Sequence, residues 1–352
     1  MKNRGGEAPL LRDPAYELRT ELARKIASFI GSAENRATGI PGLTLHRRTA
    51  PTAPCSVTYQ PSMTVIAQGR KRVELGRKVF IYDASRFLLT SVDLPVVSRV
   101  IEASEKAPCL ALSLKLEMPV VRELLSREEI EAAEGQSDSP GIGTPGMATP
   151  GMAIGETTVE FLGACCRLVD LLHTPRDIPF LSGLIQREII YRILRGAEGA
   201  RLRAIATVGD QSHRTAKAIA WIMANYTKPL RVEDLAKIAG MAVSTLHHHF
   251  RTMTAMSPLQ YQKQLRLQTA RGRMLMDGLD AASAAFEAGY ESTSQFNREY
   301  SRFFGQPPMR DFGHFVRRAL HRWNRSTTGK HHLRAMLSRS LFAAHQRPSV
   351  WP

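Results

Sequence analysis

Apolar residues change their spacing several times along this chain, and each change marks the edge of a structural region. Leu18, Leu22, Ile26 and Phe29 recur every three or four positions and predict a helix over residues 13–32. Between Thr44 and Leu116 the pattern shortens to runs rich in β-branched and aromatic side chains, at 55–59, 63–67, 71–75, 78–82, 86–90, 96–101 and 111–116. Turn residues separate them, and Gly76 makes a hairpin of the third and fourth. Seven short strands spaced about ten residues apart predict a sandwich or small barrel. Residues 135–153 include a repeat of Thr-Pro-Gly-Met-Ala, a density of Pro and Gly that favours neither helix nor strand, so an exposed loop is expected there. Helical spacing returns over 157–196, at Phe161, Leu168, Leu171 and Leu172 and again at Leu184, Ile185, Ile189, Ile193 and Leu194.

Further on, one pattern is written twice. Ala236 and Ala239 precede Gly240, and Leu246 and Phe250 follow it; about fifty residues later Ala285 and Ala288 precede Gly289, and Phe296 and Tyr300 follow. Each copy reads as a short helix, a glycine turn and a second helix whose apolar residues, four apart, form one buried face. That is the pattern of a helix-turn-helix. It leaves Ser244, His247, His248 and Arg251 pointing outward in the first copy, and Thr293, Ser294, Asn297 and Arg298 in the second. These residue types hydrogen-bond base edges and phosphates, and Arg302, one turn past Arg298, is placed for a backbone phosphate. Between the copies Pro258 opens an amphipathic stretch reaching Met276, with Leu259, Leu265, Leu267, Ala270, Met274 and Leu275 as its stripe. A helix of that length spans roughly 25 to 30 Å. One turn of B-DNA is about 34 Å, so two recognition helices joined in this way can enter successive major-groove segments on one face of the duplex.

These residues carry a resemblance. The two motifs, with Ser-Pro-Leu-Gln-Tyr at 257–261, Leu-Arg-Leu at 265–267 and Phe-Gly-Gln-Pro-Pro-Met-Arg at 304–310, resemble over about 213–312 the DNA-binding domain of the AraC/XylS family of transcription regulators. Residues 68–76 and 91–96 resemble the N-terminal effector domain of a bacterial subgroup of that family, and 183–194 its helical close. The resemblance implies an α+β chain in three parts. Residues 1–204 would be an effector-binding and dimerisation domain, with a cupin-like β-barrel at about 40–118 and flanking helices. Residues 205–312 would be an all-α DNA-binding domain with two helix-turn-helix motifs joined by a linker helix, and 313–352 a basic tail. It further implies a sequence-specific transcription activator of the bacterial cytoplasm, controlled by a small-molecule effector, acting as a homodimer on promoter DNA and contacting RNA polymerase. On the strand patterns, Tyr59, Met63, Ile66, Phe80 and Phe87 are the candidates for lining an effector site, beside the alternative that they form a dry core. Two positions depart from the family, which has Ser or Thr ahead of the first scaffold helix and Ser ahead of the first recognition helix. This chain has Arg231 and Ala242 there, and each lost N-cap costs about 1 kcal/mol.

Charge sharpens the picture in one region. Of a net charge of +16, residues 201–325 hold 19 Lys and Arg against 9 Asp and Glu, so the segment with both motifs attracts phosphate whatever the base sequence. Residues 326–352 add Lys330, Arg334, Arg339 and Arg347 with no acid, and the run from Arg317 to Arg322 either extends a last helix along DNA or belongs to a solvated end. No run of 18 apolar residues occurs, and the basic residues after Met1 lead into no apolar core, so neither a membrane span nor a signal peptide is expected.

Candidate chemistry is sparse. The four cysteines at 55, 109, 165 and 166 form no Cys-x-x-Cys pair, and His46 is the only histidine among the strand runs. Consecutive helical residues diverge by about 100°, so His247, His248 and His249 cannot converge on one ion. No metal or cofactor is expected. With no nucleophile elbow, P-loop or dinucleotide fingerprint, the chain does not read as an enzyme. Two other readings stay open: a DNA-binding module joined to thiol-based repair or sensing chemistry, with Cys55 as the sensing thiol, and an architectural DNA binder without an effector.

Overall fold

A computed structural model describes residues 13–126 and 149–313. The expected tail, and the part of the expected Pro/Gly loop before residue 149, lie outside the described residues. Helix α1 (Pro14–Ile30) starts where Asp13 accepts a hydrogen bond from the Ala15 N–H, and it buries Leu22, Ala23, Ile26 and Ile30. Nine strands follow: β1 (Asn35–Ala37), β2 (Leu43–Arg48), β3 (Cys55–Tyr59), β4 (Ser62–Gln68), β5 (Arg70–Leu75), β6 (Lys78–Tyr82), β7 (Arg86–Thr90), β8 (Leu94–Glu102) and β9 (Cys109–Lys115). Then come α2 (Met118–Leu125), β10 (Met152–Glu156), α3 (Val159–Asp170), α4 (Ile178–Arg195) and α5 (Gly199–Ala206). The C-terminal helices are α6 (Gln211–Asn225), α7 (Val232–Ala239), α8 (Val243–Thr254), α9 (Pro258–Met276), α10 (Ala281–Glu287) and α11 (Thr293–Phe304).

The strands do not close into the expected cupin-like barrel. They form two open antiparallel sheets, one of six strands in the order β1-β2-β9-β4-β7-β10 and one of four in the order β3-β8-β5-β6. A barrel needs an unbroken hydrogen-bonded ladder around its circumference. Here β1 and β10 end one ladder, β3 and β6 end the other, and the chain passes between the sheets at Gly69. That residue has φ +90°, and a Cβ on it would stand 2.7 Å from the Glu102 carbonyl oxygen and 2.8 Å from the Cβ of Cys109, so only glycine makes the crossing. Run length and spacing alone do not record which edges pair, so barrel and sandwich share one sequence pattern.

Three apolar cores result. In the first, α1, α3 and α4 cover one face of the six-stranded sheet, through Leu22, Ile26, Phe161 and Ile189 against Leu45, Val65 and Leu112. The second fills the space between the sheets, with Ile66, Val73, Leu88, Val96 and Val100, and runs on without a break into α6 to α9 at Ile219, Leu235, Phe250, Met253 and Tyr261. The third belongs to α9, α10 and α11 alone, at Leu267, Met274, Ala285, Phe296 and Tyr300. The domain boundary expected at 204/205 falls inside α5. Leu259, expected on the apolar stripe of the linker helix, is 52% exposed; Tyr261 takes the inward position instead.

Candidate nucleic-acid interface

The first motif consists of α7, a turn at Gly240 in the left-handed conformation, and α8. Helix α8 buries Leu246, His249, Phe250, Met253 and Thr254, which leaves Ser244, His247, His248 and Arg251 exposed on one face. Neither Arg231 nor Ala242 gives its helix a side-chain cap. The second motif is better terminated. Asp280 accepts from the N–H groups of Ala282 and Ser283, and Ser292 from that of Gln295. Gly289 at its turn has φ +89°, and a Cβ there would lie 2.4 Å from the Thr227 carbonyl oxygen, so both the angle and the space demand glycine. Helix α11 buries Phe296 and Tyr300, leaving Ser294, Asn297, Arg298 and Arg302 exposed and Thr293 partly so.

Between them α9 begins with a full capping box, Ser257 bonding the Gln260 N–H while the Gln260 side chain bonds the Ser257 N–H. At 19 residues it is about 28 Å long. Its far end is locked by Asp311, which accepts from Arg271, Gln306 and the Tyr300 hydroxyl. Burial would raise the pKa of that carboxyl, but the hydrogen bonds from Arg271 and Tyr300 outweigh it and hold Asp311 ionised below the usual range.

The N-terminal sheets grip the back of the first motif. The Gly151 N–H donates to the Met253 carbonyl oxygen at 2.9 Å, and the Ser91 hydroxyl donates to the Gly151 carbonyl oxygen at 3.0 Å. Thr58 on the edge strand β3 bonds Gln268 of α9 at 2.8 Å, and Gly76 abuts Ala255, which has φ 59° at the end of α8. Sequence reasoning did not find Tyr261, Asp93, Thr58, Gln268 or the Arg271–Asp311 pair. A buried Tyr or Gln within a basic, amide-rich helix was the signal available for some of them.

The effector candidates divide between two faces. Tyr59, Ile66 and Phe80 belong to the core between the sheets, where the Tyr59 hydroxyl donates to Ser98. Met63 and Phe87 lie on the opposite face of the six-stranded sheet, Phe87 stacked on Phe161 with ring centroids 4.9 Å apart. His46 is fully enclosed between Asn35 and Ser113, and burial pulls its pKa down to about 3, so it stays neutral. Burial pushes all four thiols upward, Cys166 to about 11, which makes them poor nucleophiles. Among the described residues there is no group of His, Cys, Asp and Glu that could hold a metal ion, and no helix long and apolar enough to cross a membrane.

Residues 39–201 match the family model for the AraC-type transcriptional regulator N-terminus, and residues 235–312 match that for a helix-turn-helix domain. Among curated proteins the chain is similar to the HTH-type transcriptional regulator ArgR of Pseudomonas aeruginosa, 26% identical over 132 residues, covering 37% of this chain and 40% of that protein. It is 27% identical over 144 residues to the HTH-type transcriptional activator RhaS of Yersinia pestis, covering 41% of this chain and 52% of that one. The chain thus spans about half the length of the curated relatives it matches. In fold it is similar to ToxT from Vibrio cholerae, with a TM-score of 0.51 at 10% identity, covering 77% of this chain and 97% of that one. Both halves point the same way: the chain belongs to the AraC/XylS family of transcription regulators.

Proposed function

We propose that the chain regulates transcription by binding promoter DNA in a sequence-specific way under the control of a small molecule held by its N-terminal domain. The observation that carries this reading is the pair of exposed polar faces on α8 and α11, set on two helix-turn-helix motifs and spaced by α9. Ser244, His247, His248 and Arg251 on α8 and Thr293, Ser294, Asn297, Arg298 and Arg302 on α11 are the DNA contacts. The small molecule acts from the N-terminal sheets, through the core that the inter-sheet space shares with the first motif. Activation by contact with RNA polymerase, a homodimeric state and a cytoplasmic location complete the reading, by analogy with the family. Residues 1–204 and 205–312 remain its two working parts, with 313–352 as a basic extension.

Selecting bound fragments from a random DNA pool, then competing the selected site against scrambled duplex, tests this. A regulator prefers its site by about 10³-fold or more. Equal affinity for both duplexes, with only a steep dependence on salt, would make the chain an architectural binder instead.

A further inference from the structure

Between the two sheets, polar side chains lie among apolar ones, and one of them is left over. The Tyr82 hydroxyl is fully buried and has no hydrogen-bond partner among the described residues. A core rarely retains such a group without a use for it, because the unpaired hydroxyl has lost its water and gained nothing. Across the ladder Tyr82 pairs directly with Lys71, and Lys71 with Val100. Directly paired residues of an antiparallel sheet share a face, so Lys71 stands on the inner face beside Tyr82. Its charge reaches His46 and Cys109 on the opposing sheet.

Other polar groups nearby are already engaged. Arg48, whose charge also reaches His46 and Cys109, donates to the Glu34 carbonyl oxygen and to Asn35. Glu102, the carboxylate that acts on Cys109, pairs with Arg70 at 3.5 Å. Tyr59 donates to Ser98. Lys71 is in no ion pair and no side-chain hydrogen bond among the described residues. One unmatched cation and one unmatched hydroxyl donor therefore stand side by side, with Ile66, Val73, Val96 and Val100 as apolar walls.

We propose that this inner face binds the carboxylate of a small organic acid, with Lys71 as its countercharge, Tyr82 Oη as its directional donor and the apolar walls around its hydrocarbon body. The proposal rests on the effector-controlled reading above and gives that effector a chemical class. A neutral ligand would leave the ammonium group unmatched, and an inorganic anion would leave the apolar walls unused.

Calorimetric titration of the full chain with benzoate and octanoate, each against its uncharged amide, tests the assignment. At least one acid binds ten-fold or more tightly than its amide. Lys71→Met abolishes that preference, and Tyr82→Phe weakens the acid about ten-fold while melting no lower than the wild type, since it deletes only an unpaired polar atom. Amides that bind as well as acids, a Lys71→Met chain that keeps the preference, or no binding of either acid would overturn the proposal. Measuring affinity for the selected DNA site in the same samples separates the two readings. An acid that binds without altering DNA affinity sinks control by that effector and leaves the acid site standing, whereas a neutral compound that alters DNA affinity does the reverse.

Discussion

The Tyr261 hydroxyl donates to the backbone carbonyl oxygen of Asp93 at 2.7 Å, tying the linker helix to the turn that leads into β8. Its ring also stands edge-on to Phe250 of α8, with centroids 5.5 Å apart. One side chain thus touches both the N-terminal sheets and the buried side of the first recognition helix. Removing only the oxygen, as Tyr261→Phe, keeps the ring contact and orphans the carbonyl. The expected cost is about 1 to 2 kcal/mol in urea denaturation, together with faster hydrogen exchange in α8 than in α11. An unchanged denaturation midpoint would mean that this bond does not fasten the two parts together.

Helix capping gives a second test, because the two motifs differ in it. Ala242→Ser and Arg231→Ser each place a hydroxyl where an unbonded helix start now lies, and each should add about 1 kcal/mol of stability. Ser292→Ala removes an existing cap from α11 and should subtract a similar amount. Thermal melts of the three variants check the directions. If Ala242→Ser leaves the midpoint where it was, the first N–H groups of α8 are satisfied by something other than a side chain.

Stability should also depend on pH through Asp93. Burial pushes its carboxyl up to about 6, against smaller opposing effects of a backbone hydrogen bond and Lys115. The unfolded chain releases the same proton near pH 3.9. The folded state therefore holds the proton more tightly, and this contribution is complete at low pH and lost as pH rises through about 6. Asp93→Asn should be more stable than the wild type by about 1 to 3 kcal/mol at pH 7.5, with the gap closing near pH 4. His46 works in the opposite direction, since its depressed pKa makes acid destabilising below about 6.5. Comparing the variant with the wild type at each pH cancels that effect.

On DNA, Arg298 and Arg302 should behave differently although both are exposed on α11. Arg298, on the base-facing side, can pair through its forked donors with guanine O6 and N7. Arg298→Ala should cost about 1 to 3 kcal/mol on the selected site and relax preference at one or two base pairs. Arg302→Ala should weaken all duplexes alike and lower the slope of log affinity against log salt by about 1. A base-substitution scan decides between them; uniform loss of affinity in Arg298→Ala would pass the reading role to Asn297 and its neighbours.

Much of the fold was legible because its information is local. Each of the seven strand runs begins within two residues of an observed strand, and both glycine turns fall between the expected helices. The shortfall is long-range. β1 is three residues of mostly polar character, and β10 directly follows a Pro/Gly repeat, so neither carries a strand pattern of its own. β2 does carry one, in Leu43 and Leu45, and that alternation could have found it. Whether the sheets closed was decided by pairings such as β2 with β9 and β10 with β7, which join residues more than sixty positions apart. The same holds for chemistry. The outward faces of α8 and α11 follow from helical period, whereas the meeting of Lys71 with Tyr82 depends on register and that of Tyr261 with Asp93 on docking.

The division of buried residues into three cores bears on how such a chain can change over generations. Valines and leucines between the sheets share their packing with Phe250 and Leu246, so a drift in size on one side must be answered on the other, and the ligand end and the first reading head are bound to evolve together. The α10–α11 unit packs only on itself and the end of α9. It is the part of the molecule that could be exchanged for another, with a new preference in DNA sequence, while leaving the response to the ligand as it was.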